Sequence, residues 1–588
     1  MAKTGVIYGI NGPVVSLLGD SGFQMNEMVH VGQEKLVGEV IGLNSEKTTI
    51  QVYEETSGIK PGEIVTGTGA PVSVTLAPGI LSNIFDGIER PLSEIAKGSG
   101  YYISRGISVN SLDTDKKWDT HMVVKEGDRI MPGTIIAEVP ETRAITHKVM
   151  APPDAEGYVL TVVPDGRYTI EEPLLTLQLM DGTERILTMT QKWPIRVARP
   201  SARRFPAVKP LITGQRILDT MFPLAKGGTA AIPGGFGTGK TMTQHQVAKW
   251  SDADVIIYIG CGERGNEMTQ VLEEFQELTD PRSGNPLMDR TTLIANTSNM
   301  PVAAREASLY SGLTLAEYYR DMGYHVAIMA DSTSRWAEAL RELSGRLEEM
   351  PAEEGFPAYL ASRLSAFYER AGMMQNLNGT EGSVSIIGAV SPQGGDFSEP
   401  VTQNTKRFVR CFWGLDKNLA YARHFPAIQW LTSYSEYLTD LAPWYTENVD
   451  KRFIDYRNQI VYILTQENGL MEIVKLIGSD VLPDDQKLVL EIAKVIRLGF
   501  LQQNAFHAED TCVPMKKQFK MMEIILYLYK RCRALIGMGM PMSVLKQDDI
   551  FEKIISIKYD VPNNRPELFD EYRDAVDRFY DGVVERNA

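Results

Sequence analysis

The sequence is poor in cysteine and has no long apolar run. Its 588 residues include four cysteines, which lie far apart and form no C-x-x-C pair: Cys261, Cys411, Cys512 and Cys532. Neither a disulfide framework nor a zinc site is therefore indicated, and we expect reduced thiols in a cytoplasmic protein. Apolar runs such as 255–259 are too short to span a bilayer, and the N-terminus has no apolar signal-peptide segment.

Basic residues are also in the minority. The chain has 60 Lys and Arg against 75 Asp and Glu, a formal net charge of −15. Binding to nucleic acid depends on neutralising phosphates with basic side chains, so this balance counts against a helicase or another nucleic-acid enzyme. The acidic balance favours solubility or protein partners instead. The sequence also has no short internal repeat and no low-complexity segment.

The pattern of apolar residues predicts several domains. Alternating runs such as 48–53, separated by Gly, Pro and Asn turn signals, predict an N-terminal β-barrel. From about 190 to 440, strands alternate with helices, which is typical of a parallel sheet covered on both faces. Beyond about 440 the apolar spacing is helical.

We therefore predict a multi-domain protein with a central α/β domain. The predicted parts are an N-terminal β-barrel, a central α/β domain in two segments, a β-rich insertion between these segments and a C-terminal α-helical domain. Their predicted boundaries, in that order, are 1–72, 73–109 with 189–440, 110–188 and 441–588.

The insertion contains a lysine in a setting that resembles biotinyl and lipoyl carrier domains. Turns at 127–128 and 132–133 precede the segment His147–Gly157, and Lys148 would be the attachment site. The acidic and methionine residues that normally precede such a lysine are missing. We therefore expect a β-sandwich of similar shape without an attached cofactor.

The clearest chemical signal is a glycine-rich loop that fits the pattern G-x-x-x-x-G-K-[ST] at every fixed position. Its residues are Gly234, Gly235, Phe236, Gly237, Thr238, Gly239, Lys240 and Thr241. A predicted strand precedes the loop and a predicted helix follows it, so the helix N-terminus should point at bound phosphates. Lys240 can reach the outer phosphates and Thr241 can contact Mg²⁺, which together predict binding of a nucleoside triphosphate.

Carboxylates follow two other predicted strands. The apolar run 325–330 ends at Asp331, where a water-mediated Mg²⁺ ligand of a phosphate-loop enzyme should lie, although Asp331 alone could also be a helix cap. Glu263 and Arg264 follow strand 255–260, at the strand end where ligands bind in open α/β sheets. A carboxylate there can polarise an attacking water, whereas without the loop the pair would be interpreted as a solvated ion pair.

Together these segments resemble the rotary ATPases, and most closely the catalytic A subunit of the vacuolar and archaeal type. The resemblance implies that the central α/β domain, 73–109 with 189–440, is a nucleotide-binding domain of the P-loop (RecA-like) type. The resemblance covers essentially the whole chain and includes the insertion at 110–188, which the F-type catalytic subunit lacks. The matching segments are 210–219, 234–241, 262–267, 331–336, 391–400 and 426–435.

The resemblance implies roles for particular residues. Glu263 would activate the hydrolytic water, Arg264 and Arg335 would lie near the phosphates, and ATP or ADP would bind with Mg²⁺. Phe425 and Phe506 occupy positions at which the family holds adenine between aromatic rings. Considered without their surrounding motifs, these two phenylalanines would instead be interpreted as core residues.

The resemblance also implies partners. We expect a related non-catalytic B-type subunit in an alternating hexamer, with central-stalk and peripheral-stalk subunits that connect it to an ion-translocating membrane sector. A neighbouring subunit would supply an arginine to the site. The alternatives are a non-catalytic ring subunit, which would lack the carboxylate of Glu263, and a secretion ATPase on the same core, which would lack the long insertion. An RNA or DNA translocase on that core is a third alternative, and the net charge of −15 and the absence of an evident basic-aromatic stretch count against it.

One loop residue departs from eukaryotic relatives. Thr238 stands where those relatives carry a cysteine linked to redox control. We therefore expect this chain to lack that switch and to be of the bacterial or archaeal kind.

Overall fold

The computed structural model describes residues 3–100 and 103–587. The chain forms two compact units. The first comprises Met1–Pro206, Lys226–Ala231 and Ala253–Val409, and the second comprises Ala207–Ala225, Ile232–Asp252 and Arg410–Ala588.

The N-terminal segment forms a closed six-stranded barrel in the order β1-β2-β5-β4-β3-β6. Side chains alternate between the barrel interior and its surface, and inward residues such as Val15, Leu17 and Val29 are completely buried. Closure pairs every strand edge, so no edge is left to recruit another chain. The elements are β1 (Thr4–Asn11), β2 (Val14–Leu18), β3 (Glu27–Val31), β4 (Leu36–Leu43), β5 (Lys47–Val52), β6 (Ile64–Pro71), followed by β7 (Ser73–Leu76), β8 (Ile84–Phe85) and α1 (Leu92–Ser99).

The insertion contains two four-stranded antiparallel sheets, β10-β13-β15-β16 and β12-β11-β9-β14. Their strands are β9 (Trp118–Met122), β10 (Arg129–Ile130), β11 (Ile135–Pro140), β12 (Thr146–Met150), β13 (Gly157–Val162), β14 (Gly166–Tyr168), β15 (Leu175–Leu179) and β16 (Glu184–Leu187). Lys148 lies within β12, and its ammonium donates to the carbonyl of Met322 at 3.0 Å. The ammonium of this lysine is therefore engaged in a hydrogen bond within the first unit.

The central segment alternates strands and helices, as its sequence pattern predicts. In the first unit, five parallel strands have the order β8-β21-β20-β22-β24. The inner strands are apolar along most of their length because helices cover both faces of such a sheet. The elements are β17 (Gln191–Pro194), β18 (Arg203–Phe205), β19 (Thr229–Pro233), α2 (Lys240–Trp250), β20 (Val255–Cys261), α3 (Gly265–Glu277), β21 (Thr291–Asn296), α4 (Val302–Asp321), β22 (His325–Asp331), α5 (Thr333–Arg346), α6 (Leu360–Glu369), β23 (Gly372–Gln375), β24 (Glu381–Val390), α7 (Pro400–Phe408), β25 (Cys411–Phe412), α8 (Lys417–Tyr421), β26 (Tyr434–Ser435) and α9 (Leu438–Asn448).

The C-terminal part of the second unit is helical. Leu488, Ile492 and Val495 share the buried face of one helix, as their spacing predicts. Two π-helical turns, Ile217–Met221 and Ile496–Leu501, also belong to this unit. The helices are α10 (Phe453–Ile477), α11 (Asp484–Val495), α12 (Met515–Gly537), α13 (Met542–Leu545), α14 (Ile550–Asp560) and α15 (Phe569–Asn587).

The predicted barrel, α/β domain, β-rich insertion and helical C-terminal domain are thus confirmed. Among the described residues, no helix is both long and apolar enough to cross a membrane.

Candidate active site

The predicted site residues are divided between the two units. The glycine-rich loop, Phe425 and Phe506 belong to the second unit. Glu263, Arg264, Asp331 and Arg335 belong to the first.

The loop joins β19 to α2, as predicted. Gly237 and Gly239 have φ values of 76° and 90°, a left-handed conformation that glycine adopts without steric cost. Gly234 is required for a different reason, since a Cβ there would lie 2.5 Å from Oγ1 of Thr238 and 2.8 Å from Cβ of Leu415. The loop therefore forms a tight cradle that begins at a position where only glycine fits.

Side chains within the loop fix its shape. The ammonium of Lys240 donates to the carbonyls of Gly234 at 2.7 Å and Gly235 at 3.1 Å. The buried Oγ1 of Thr238 donates to the carbonyl of Gly235 at 2.8 Å. Thr241 is half-buried in the first turn of α2, where the helix dipole attracts anions. This arrangement of backbone amides, an ammonium and a hydroxyl suits a phosphate chain with its metal ion.

Three phenylalanines of this unit are exposed. The exposed fraction is 87% for Phe236, 42% for Phe425 and 91% for Phe506. The interpretation of Phe425 and Phe506 as core residues is therefore wrong. The ring of Phe425 lies beside the loop, because a Cβ on Gly239 would be 3.7 Å from Cε1 of Phe425. Exposed aromatic rings of this kind provide flat apolar surfaces on which a planar ligand can stack.

In the first unit, neighbouring parallel strands bring the predicted carboxylates together. Gly260 on β20 is in register with Asp331 at the end of β22. Asp331 is 3% exposed, and the hydroxyl of Tyr258 donates to its Oδ2 at 3.2 Å. Burial and the carboxylate of Asp331 raise the pKa of Tyr258 well above its usual value, so the phenol remains a donor at neutral pH.

Glu263 is half-buried just beyond the end of β20. Its pKa is raised to about 8, chiefly by burial and then by the nearby carboxylates of Asp331 and Glu267, while Arg335 opposes the shift. Arg335 is oriented by Glu338, which accepts from Nη1 at 3.0 and 2.8 Å. The structure thus brings Glu263, Asp331 and Arg335 together.

Arg264 differs from these residues. It is exposed and immediately precedes α3. The interpretation of Glu263 and Arg264 as a solvated ion pair also fails for Glu263, because that carboxylate is half-buried among other acids.

Sequence reasoning missed Tyr258 and Glu267. A signal for Tyr258 was present, because it is the only residue with a side-chain hydroxyl in the apolar run 255–259. Glu267 lies four residues after Glu263, on the first turn of α3. Nothing in that spacing indicates that the two carboxyl groups interact.

Family models match the chain along most of its length. The ATP synthase alpha/beta family, nucleotide-binding domain, matches residues 214–435. The beta-barrel domain of that family matches 7–69, its barrel-sandwich domain matches 109–196, and the C-terminal domain of V and A type ATP synthase matches 442–539.

Relatives match over the full length. The V-type ATP synthase alpha chain of Halothermothrix orenii is 58% identical over 586 residues, which are 100% of this chain and 99% of the relative. The V-type ATP synthase alpha chain 2 of Clostridium tetani is 59% identical, covering 99% and 98%. The corresponding A chain of the A-type ATP synthase of Methanopyrus kandleri is 54% identical, covering 99% and 98%.

The chain belongs to the V-type and A-type ATP synthase alpha (A) chain family.

This membership confirms the predicted resemblance to the catalytic A chain of rotary ATPases. The assembled ATPase EscN of the enteropathogenic E. coli type III secretion system has a TM-score of 0.64 and covers 89% of this chain and 99% of its own. Because EscN is only 19% identical to this chain, the likeness shows a shared fold and nothing more.

Proposed function

We propose that this alpha (A) chain hydrolyses or synthesises MgATP, with the glycine-rich loop and the carboxylates of the first unit acting on the same nucleotide. The observation that carries the proposal is the position of Glu263, half-buried directly after a parallel strand and close to the buried Asp331. Membership of a rotary ATP synthase family supports the use of both groups of residues in one reaction.

The loop would bind the phosphates. Backbone amides from Gly234 to Gly239 and the N-terminus of α2 suit the phosphate oxygens, and Lys240 would neutralise charge on the outer phosphates. Phe425 and Phe506 offer the exposed aromatic rings expected for the base.

Thr241 and Asp331 would hold Mg²⁺, the first directly and the second through water. The donor chemistry fits, because a hydroxyl and a carboxylate are oxygen ligands of the kind that Mg²⁺ prefers. When bound, Mg²⁺ would neutralise charge on the β- and γ-phosphates.

Glu263 would orient the attacking water and accept its proton. A carboxylate whose pKa is raised to about 8 has a proton affinity suited to that task near neutral pH. Arg335 and the exposed Arg264 would lie near the transferred phosphate. An arginine from a neighbouring subunit would complete the site and contribute roughly 10³–10⁵ in rate, as trans arginines do in related reactions.

The alpha chain would work inside a larger machine. We propose an alternating hexamer with a homologous non-catalytic B-type subunit, connected by central and peripheral stalks to an ion-translocating sector, on the cytoplasmic side of the cell membrane. Full-length matches to ATP synthase alpha chains support such a multi-subunit complex. This chain alone should consequently be a poor ATPase.

The role of Glu263 is tested in the ring reconstituted with its partner subunit. Glu263→Gln should lower kcat by at least about 10²-fold, because a positioned base contributes about 10²–10⁴, while nucleotide affinity stays within a few-fold. Glu273→Gln, at an exposed glutamate on α3, the helix that follows Glu263, is the matched control. Turnover near wild type in Glu263→Gln would refute the assignment, and retained MgATP affinity in Lys240→Ala would refute the phosphate-loop assignment.

A further inference from the structure

Phe425 and Phe506, two of the three exposed phenylalanines, lie on segments that are distant in sequence but joined by hydrogen bonds. The backbone N–H of Gln503 donates to the carbonyl of Phe425 at 2.8 Å. Both segments also connect to the completely buried Arg216, the first through its backbone N–H and the second through its guanidinium. We propose that Arg216 is a positioning residue that holds Phe425 and Phe506 as one platform for the planar base of the nucleotide, an inference that rests on the proposed binding of ATP.

The first connection runs from Arg216 to Phe425. The backbone N–H of Arg216 donates to Oε1 of Gln503 at 2.8 Å. The side-chain amide of Gln503 donates in turn to the carbonyl of Gly214 at 2.9 Å, so both ends of this amide are engaged. Gln503 is thereby fixed on both sides, and its own N–H holds the carbonyl of Phe425.

The second connection runs from Arg216 to Phe506. Nη1 of Arg216 donates to the buried carboxylate of Asp510. The other oxygen of Asp510 accepts the N–H of Asn504 at 2.6 Å, and Oδ1 of Asn504 accepts the N–H of Phe506 at 2.9 Å. The turn that carries Phe506 therefore takes its shape from an ion pair that is buried beneath it.

The remaining donors of Arg216 bind the chain that leads into this turn. Nε donates to the carbonyl of Phe500 at 2.5 Å, and Nη2 donates to the carbonyl of Gln502 at 2.7 Å. These carbonyls lie at and just after the end of the π-helical turn Ile496–Leu501, where the helical hydrogen-bond pattern ends. The planar, five-donor guanidinium is suited to this task, and an ammonium cannot reproduce its fixed geometry.

The position of Arg216 in the chain relates this arrangement to nucleotide binding. Arg216 precedes the glycine-rich loop by eighteen residues, within the same compact unit. The side chain of Phe506 is 91% exposed and is therefore not held in place by core packing, so its orientation depends on its backbone. A platform that is ordered before the base arrives avoids the entropy cost of ordering it during binding.

The experiment compares two ligands on the full-length chain, MgATP and magnesium tripolyphosphate, because only the first carries a base. Calorimetric titration should show that Arg216→Lys weakens MgATP binding at least tenfold and leaves tripolyphosphate binding within about twofold. Gln503→Met and Asn504→Ala, each interrupting one connection, should give smaller losses with the same selectivity. Asn504 is exposed, so this last variant keeps the test available if Arg216→Lys does not fold.

The control is Arg452→Lys, which alters another arginine of the same unit that pairs with Asp450 and Glu523. It should change neither affinity. Equal losses for both ligands in Arg216→Lys would reveal a purely structural role and overturn the inference, as would unchanged affinities.

Phe506→Ala separates this inference from the proposed function. If Phe506→Ala retains the full preference for MgATP, the proposed base site is wrong. If Phe506→Ala loses the preference but Arg216→Lys keeps it, the base site stands and only the positioning role of Arg216 falls.

Discussion

The hydroxyl of Tyr258 donates to Oδ2 of Asp331 across two neighbouring parallel strands, at 3.2 Å. This contact places a neutral donor on a carboxylate that is 3% exposed. A donor that hydrogen-bonds a metal-binding carboxylate orients it and so influences its affinity for the metal.

Tyr258→Phe should weaken the interaction with Mg²⁺. We expect the Mg²⁺ concentration for half-maximal ATP turnover to rise about tenfold, since loss of such a partner typically costs about 10–100-fold in metal affinity. Turnover of the reconstituted ring measured against Mg²⁺ concentration checks this. Tyr318→Phe, whose hydroxyl lies 3.0 Å from Nε2 of His147, should leave the curve unchanged. An unshifted curve for Tyr258→Phe would show that this hydrogen bond does not orient Asp331 for the metal.

Gly234→Ala should abolish tight nucleotide binding. The added Cβ would lie 2.5 Å from Oγ1 of Thr238 and 2.8 Å from Cβ of Leu415, so the loop would have to open. We expect at least a tenfold loss of MgATP affinity. Gly345→Ala is the control, because this helical glycine has open space around its Cβ position. Equal affinities in the two variants would mean that the loop does not bind the phosphates in the shape described.

Thr238→Val tests the hydrogen bond inside the loop. The substitution keeps the shape of the side chain but removes the donor to the carbonyl of Gly235. A neutral hydrogen bond contributes about 1 kcal/mol, which corresponds to a factor of about five in affinity for MgATP. Thr238→Ser keeps the hydroxyl and should bind MgATP like wild type in the same titration. If Ser and Val variants behave alike, the hydroxyl has no role in shaping the loop.

Thiol reactivity should be slow and should rise steeply with pH. Burial raises the pKa to about 12 for Cys261 and Cys512 and to about 11 for Cys532, and it also raises the pKa of Cys411. A raised pKa means less thiolate at a given pH. At pH 8, a thiol of pKa 12 is ionised to about one part in 10⁴, against roughly a quarter at the usual pKa of 8.5.

The rate of reaction with Ellman's reagent in the folded chain should therefore rise about tenfold per pH unit between pH 8 and 10. Cys512, which is half-buried, should react first. Guanidinium-unfolded chain serves as the reference, with four rapidly reacting thiols. A plateau below pH 9.5 in the folded chain would contradict the raised pKa values. Because burial suppresses the reactivity of the thiols and the loop carries Thr238 rather than a cysteine, we expect thiol oxidants to leave the ATPase activity unchanged.

Local patterns in the sequence were sufficient for much of the fold. The alternation around 48–53 and the continuous apolar runs 255–259 and 325–329 predict a barrel and a buried parallel sheet, because side-chain period and burial are local properties of a strand. The spacing of Leu488, Ile492 and Val495 likewise predicts the buried face of α11.

Other features had no local signature. Phe425 and Phe506 have the composition of core residues, yet they are exposed because the surrounding chain turns them outward. The raised pKa of Glu263 comes from burial and from carboxylates contributed by another strand and by the following helix. Neither effect can be read from neighbouring residues in the chain.

The sequence by itself determined the loop Gly234–Thr241, the carboxylates at two strand ends and the family to which they belong, because these features consist of residue types at fixed short spacing. Only the tertiary structure decided that Tyr258 hydrogen-bonds Asp331. The same holds for the hydrogen bond between Arg216 and Gln503, which are 287 positions apart in the chain. Contacts over such distances depend on how the elements pack and on which groups lose water. Those properties belong to the folded molecule as a whole.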